Sequence, residues 1–134
     1  MASAVADNVR VPVLPRLVVV AGPPGAGKTT VAAALRERLG LPLIAEGNFR
    51  ESWFDTLPPA EIVQVYVSAA PATLRERLLA RDSHRHRVHY DREAADEIAE
   101  RAASGEWSPL PIGGRVVAID TTIWPDLDQV LRAV

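Results

Sequence analysis

The stretch GPPGAGKT, residues 22–29, sets two glycines and then a lysine and a threonine at the spacing G-x-x-x-x-G-K-[ST]. Each residue type suits one job in holding a polyphosphate. Glycines such as Gly22, Gly25 and Gly27 let backbone N–H groups turn inward and come close to phosphate oxygens. Lys28 can reach the outer phosphates, and the hydroxyl of Thr29 can face Mg²⁺. Of the chain's 15 basic residues, Lys28 is the only lysine. A compact ammonium on a flexible stem fits a narrow glycine-lined site, whereas the wide guanidinium of arginine does not. The context is also right, since an apolar run precedes the turn and a helical pattern follows it. An ordinary strand–turn–helix corner is the bland alternative, and it explains neither the spacing nor the placing of the lysine.

Phosphoryl transfer further needs an acid near the metal and arginines near the migrating charge. Glu46 directly follows an apolar strand in LPLIAEGNFR, and a carboxylate there can hold a metal-bound water or act as a base. Asn48 and Arg50 of the same turn are expected to face the substrate, at the carboxyl ends of parallel strands. A solvated turn is the competing reading of this segment. Asp120, the last residue of VVAID, is a second acid, read as lying near the base or capping its strand. Six arginines crowd residues 75–92 against three acids. A lid carrying them could close over ATP, with Arg81 and Arg85 as the foremost candidates and Arg77 next. The alternative for any one of them is a solvated helix face. His84, His86 and His89 have a zinc-compatible spacing. The interleaved arginines repel a dication, so a solvated loop or phosphate contact is the expectation. Trp53 and Phe54 are read as core more readily than as pocket lining, and Trp107 as ligand cover or loop packing.

The elements that must position these groups follow from periodicity. Residues 17–21 form a β-branched run typical of a strand buried on both faces. A helix is expected over 28–39, stopped by Gly40. Strands are expected at 41–45, 62–67 and 115–120, and helices from Pro71 to about Arg81, over 92–103 and over 126–133. Pro42 suggests an edge strand or a strand start. Residues 46–61 read as a loop with a short helix, and 82–91 and 104–114 as loops. Strands alternating with helices imply a parallel sheet with right-handed crossovers, an α/β three-layer sandwich.

The bulk numbers suit one domain over residues 1–134, with 1–15 as a loose lead-in. Hydrophobic residues make up 48% and charged residues 24%, a globular balance. The formal net charge of −2 leaves no basic excess for nucleic acid. With no cysteine there is no disulfide framework and no thiolate chemistry. No apolar run has membrane-spanning length, and the N-terminal segment lacks a signal-peptide layout, so the expected location is cytoplasmic.

Four segments together, 17–45, EGNFR, IVQVYVSAAPATLRERLLAR and VVAIDTT, resemble the small P-loop kinase-like proteins grouped as AAA-type ATPases. Those lie close to the chloramphenicol-phosphotransferase-like and adenylate-kinase-like families. The resemblance implies a P-loop NTPase fold that binds ATP with Mg²⁺. It implies cofactor contacts at Gly22, Gly25, Ala26, Gly27, Lys28, Thr29 and Thr30, with Asp120 and Thr121 near the adenine. It aligns Glu46 and Arg50 with an acid–turn–arginine motif, and Arg77 and Arg81 with lid arginines. Metal contacts fall to Thr29 and Glu46. Relatives carry a long substrate-side segment before the Glu-Gly turn, whereas here GLPLIA runs straight into EGNFR. Two strands merge into one, so about four strands are expected where relatives have five.

The function expected is ATP-dependent phosphotransfer to a small hydroxyl-bearing molecule. Lys28, Glu46, Arg81 and Arg85 would carry the catalysis. The alternatives are an ATPase without an acceptor and a non-catalytic nucleotide-binding module that has lost its substrate segment. ATP is favoured over GTP because the chain has no Asn-Lys-x-Asp motif.

Overall fold

The computed structural model describes residues 14–40, 45–46, 51–80 and 92–134. Four parallel strands form one sheet: β1 (Arg16–Ala21), β2 (Ala45–Glu46), β3 (Glu61–Ser68) and β4 (Arg115–Asp120), in the order β2-β1-β3-β4. Three are full strands and β2 contributes two residues at the edge; most of the strand expected over 41–45 lies outside the described residues. Helices α1 (Lys28–Leu39), α2 (Pro71–Ala80), α3 (Arg92–Ala103) and α4 (Leu127–Leu131) flank the sheet in a three-layer α/β/α arrangement.

The apolar pattern explains which strands sit where. In β1 and β3 the central residues are buried whichever face they point to, as continuous Val-rich runs require at the middle of a parallel sheet. The edge strand β4 buries Ile119 but leaves Val116 44% exposed. Val31 and Leu35 of α1 and Leu74 of α2 close the main core over Val18, Val63 and their neighbours. A smaller cluster joins Leu78 of α2 to Ala95 and Ile98 of α3, with Trp107 packed against it. Trp107 also lies under the Arg101 guanidinium, 4.9 Å from its ring centroid, so it packs the loop after α3. An Arg75–Asp96 ion pair ties α2 to α3.

Helix ends follow local chemistry. Gly40 adopts the left-handed conformation, and its N–H reaches the Arg36 carbonyl at 2.9 Å, which ends α1. The closing helix is shorter than the expected 126–133, starting one residue later because Asp126 caps it from outside and ending at Leu131. The Asp126 carboxylate accepts from the N–H groups of Asp128 and Gln129. Trp53 corrects the core expectation, being 53% exposed, while Phe54 is half-buried. Both sit in a 3-10 turn, Glu51–Thr56, which is too short to build a continuous apolar face.

Register decides what converges at the loop end of the sheet. Val20 lies opposite Glu46, Ala21 opposite Tyr66, and Ser68 opposite Asp120. The carboxyl ends of all four strands therefore share one edge, the place where open parallel sheets bind ligands.

One polar side chain is fully buried in the centre of β3. The Gln64 amide donates to the Leu110 carbonyl at 2.9 Å and accepts from the Leu110 N–H at 2.8 Å, pinning the connection between α3 and β4 to the sheet. Gln64→Leu would leave both backbone groups without their partner. The expected loss is about 1–3 kcal/mol of stability, read as a lowered midpoint in urea unfolding.

Candidate nucleotide site

The loop 22–27 joins β1 to α1, and close approach governs its shape. Gly22 has φ +148°, and a Cβ there would lie 2.0 Å from the Val67 carbonyl oxygen, so the chain leaves β1 pressed against the backbone of β3. Gly27 has φ +101° and caps α1 without any side-chain cap; a Cβ there would meet Trp124 Cη2 at 2.4 Å. The Ala26 N–H reaches the Pro23 carbonyl at 3.3 Å and closes the turn. The first helical bond runs from the Val31 N–H to the Gly27 carbonyl at 3.0 Å, so the N–H groups of the first turn lie ahead of the helical ladder.

Lys28 is half-buried, and its ammonium donates to the Gly22 carbonyl at 2.8 Å, spanning the loop from end to start. Thr29 and Thr30 are exposed beside it. The loop is fixed from its carbonyl side by two residues of other elements. Thr121, fully buried just past β4, donates its hydroxyl to the Ala26 carbonyl at 2.5 Å. Arg77 of α2 donates to the Thr121 hydroxyl at 2.8 Å, to the Gly25 and Ala26 carbonyls at 3.3 and 3.4 Å, and to the Thr121 carbonyl. Its guanidinium lies 5.0 Å from the centroid of the Trp124 ring.

Around this clamp the β4 end is tied down in turn. The Thr121 N–H reaches the Ser68 carbonyl at 2.8 Å, and the Ala70 N–H reaches the Thr122 hydroxyl at 2.7 Å. Asp120 is exposed at the strand end and accepts from the Thr122 N–H at 2.8 Å. Hydrogen bonds from Thr122 hold its carboxyl below the usual aspartate range, and the Arg77 charge adds to this.

The residues expected to form the cradle, Gly22, Gly25, Ala26, Gly27, Lys28, Thr29 and Thr30, are thus brought together at one sheet end. Glu46 is placed by backbone register at that same edge, as the last residue of β2. Asn48, Arg50, Arg81, Arg85 and the three histidines lie outside the described residues. Among the described residues no group of three or more His, Asp or Glu side chains is set to hold a metal ion. Nor, among them, is any helix long and apolar enough to cross a membrane.

Two features escaped sequence reasoning. Arg77 was grouped with mobile lid arginines, yet its donors are engaged with loop carbonyls and Thr121. Trp124, 45% exposed, covers Gly27 and stacks on Arg77. The only sequence signal for it was a tryptophan before Pro125 shortly after the last strand, on the loop side of the sheet.

A parallel sheet carrying a glycine-rich turn, a lysine-bearing helix start and an acid at a neighbouring strand end defines a P-loop NTPase-type nucleotide-binding protein. The AAA ATPase domain family matches residues 4–127, and the chain belongs to that family, on its P-loop kinase-like side. It is 44% identical over 66 residues to an adenylate kinase of Mycolicibacterium smegmatis (strain ATCC 700084 / mc(2)155), a match covering 46% of this chain and 36% of that kinase. The chain therefore spans only about a third of the length of that relative. A crystal structure of a candidate kinase from Chloroflexus aurantiacus j-10-fl superposes with a TM-score of 0.74 at 26% identity, covering 90% of this chain and 96% of that one.

Two outcomes follow from the geometry. Gly22→Ala forces a methyl group into the β3 backbone, so the loop must shift. A lowered melting temperature together with weakened nucleotide binding is expected in thermal-shift and titration measurements. For Asp120 the folded pKa lies below the unfolded one, so its stabilisation is present above the unfolded value and lost as pH falls through the folded one. The stability gap between wild type and Asp120→Asn is expected to narrow as pH falls through and below the ordinary aspartate range in denaturant titrations.

Proposed function

We propose that this chain is an ATP-dependent phosphotransferase acting on a small hydroxyl-bearing molecule. The observation that carries the reading is the meeting of the Lys28 loop and the Glu46 strand end along one edge of the sheet. The residues present fit a polyphosphate: Gly22 and Gly27 leave no room for side chains, a lysine spans the loop, and a helix start faces its far end.

Mg-ATP supplies the transferable phosphoryl group and the metal charge. The backbone of 25–30 and the Lys28 ammonium hold the phosphates, and Thr29 and Glu46 serve the metal. Glu46 orients or deprotonates the acceptor hydroxyl, Asn48 and Arg50 position the acceptor, and Arg81 and Arg85 neutralise the migrating charge. Asp120 lies near the base, and Thr121, buried beneath it, holds the loop. Residues 1–134 act as one unit in this reading.

A second reading has its own observation. The direct join of GLPLIA to EGNFR favours a nucleotide-binding module or an ATPase without an acceptor.

Calorimetric titration of Mg-ATP into wild type and Lys28→Ala tests the reading. Binding by wild type, weakened at least about tenfold in the variant, is the expected result. A folded wild type that binds no Mg-ATP sinks it. ATP consumption that rises only when a hydroxyl acceptor is added separates the phosphotransferase from the ATPase, and no consumption at all leaves the binding module.

A further inference from the structure

We propose that Arg77 and Thr121 are positioning residues for the phosphate cradle, aiming the Gly27 backbone N–H by holding the carbonyl at the other end of its peptide group and fixing the turn before it. This rests on the reading of 22–29 as a polyphosphate site. A trans peptide group is planar, with its C=O and N–H pointing in opposite directions. The Ala26 carbonyl is held by the Thr121 hydroxyl at 2.5 Å and by Arg77 at 3.4 Å. The N–H of Gly27, in the same peptide group, is thereby turned the other way, at the start of α1. The Gly25 carbonyl is held by Arg77 at 3.3 Å, which turns the Ala26 N–H toward the Pro23 carbonyl and sets the turn.

The chemistry of the two residues suits this task. Thr121 is fully buried, and its hydroxyl both donates to Ala26 and accepts from Arg77, so it is oriented at both ends. The Arg77 guanidinium is fixed in turn by the Thr121 carbonyl and by the Trp124 ring. Glycines at 25 and 27 make the loop deformable, and without outside restraint the peptide between Ala26 and Gly27 is free to rotate. The ligand class that this serves is polyphosphate as such, independent of any base.

That independence supplies the test. Inorganic tripolyphosphate and Mg-ATP are each titrated calorimetrically into wild type, Thr121→Val, Thr121→Ser and Arg77→Gln, with circular dichroism and melting temperature recorded for each variant. Thr121→Val and Arg77→Gln are expected to weaken both ligands by the same factor, at least about fivefold. Thr121→Ser, which keeps the hydroxyl, restores both. Should Thr121→Val fail to fold, Arg77→Gln asks the same question at a half-buried position. Folded variants that bind tripolyphosphate as wild type does overturn the proposal, including the case where ATP alone is weakened, which would mark a base contact instead. If wild type binds neither ligand, it is the reading of the loop itself that fails.

Discussion

A hydroxyl meeting a carbonyl across 95 positions of chain, Thr121 to Ala26, is the contact on which the site's shape depends. It joins the end of the last strand to the turn after the first. Neither partner reaches water: Thr121 and Ala26 are both fully buried. A buried hydroxyl or carbonyl without a partner costs about 1–3 kcal/mol, so each group enforces the other's position. Arg77 then adds a charged donor to the same point, coupling α2 to both. Three elements far apart in sequence are locked to one peptide group.

The sheet makes that contact possible. Parallel pairing in the order β2-β1-β3-β4 sets every strand's carboxyl end on one side. Val-rich β1 and β3 occupy the middle because only there are both faces covered. Pressing Gly22 against Val67 brings the loop close enough to β4's end for Thr121 to reach it. The close packing that defines the core and the orientation of the candidate donors therefore share a cause.

Periodic features were the readable ones. The boundaries of α1 and β4 agree with expectation, and α2 and α3 do so within a residue, because apolar spacing and Gly40 mark them locally. The cradle was legible because its spacing is itself the chemistry. Trp53 was misread because aromatic type predicts burial only on average, and a 3-10 turn overrode it. The contacts of Arg77 were hidden for a different reason. An arginine near a phosphate site can serve the ligand or the loop, and only three-dimensional contacts with Gly25, Ala26 and Thr121 tell the two apart. Trp124 had no periodic neighbourhood to reveal it.

The bond from Lys28 to Gly22 has a consequence for the chain's reactivity. No other side chain carries a primary amine. Acylating reagents, carbamoylating metabolites and crosslinkers aimed at ε-amines have a single side-chain address in this molecule, and it is the one residue that spans the loop. A covalent tag of that kind cannot be attached here as a silent label. Attaching it removes the ammonium and fills the turn, so the labelled and the loop-altered populations are one and the same.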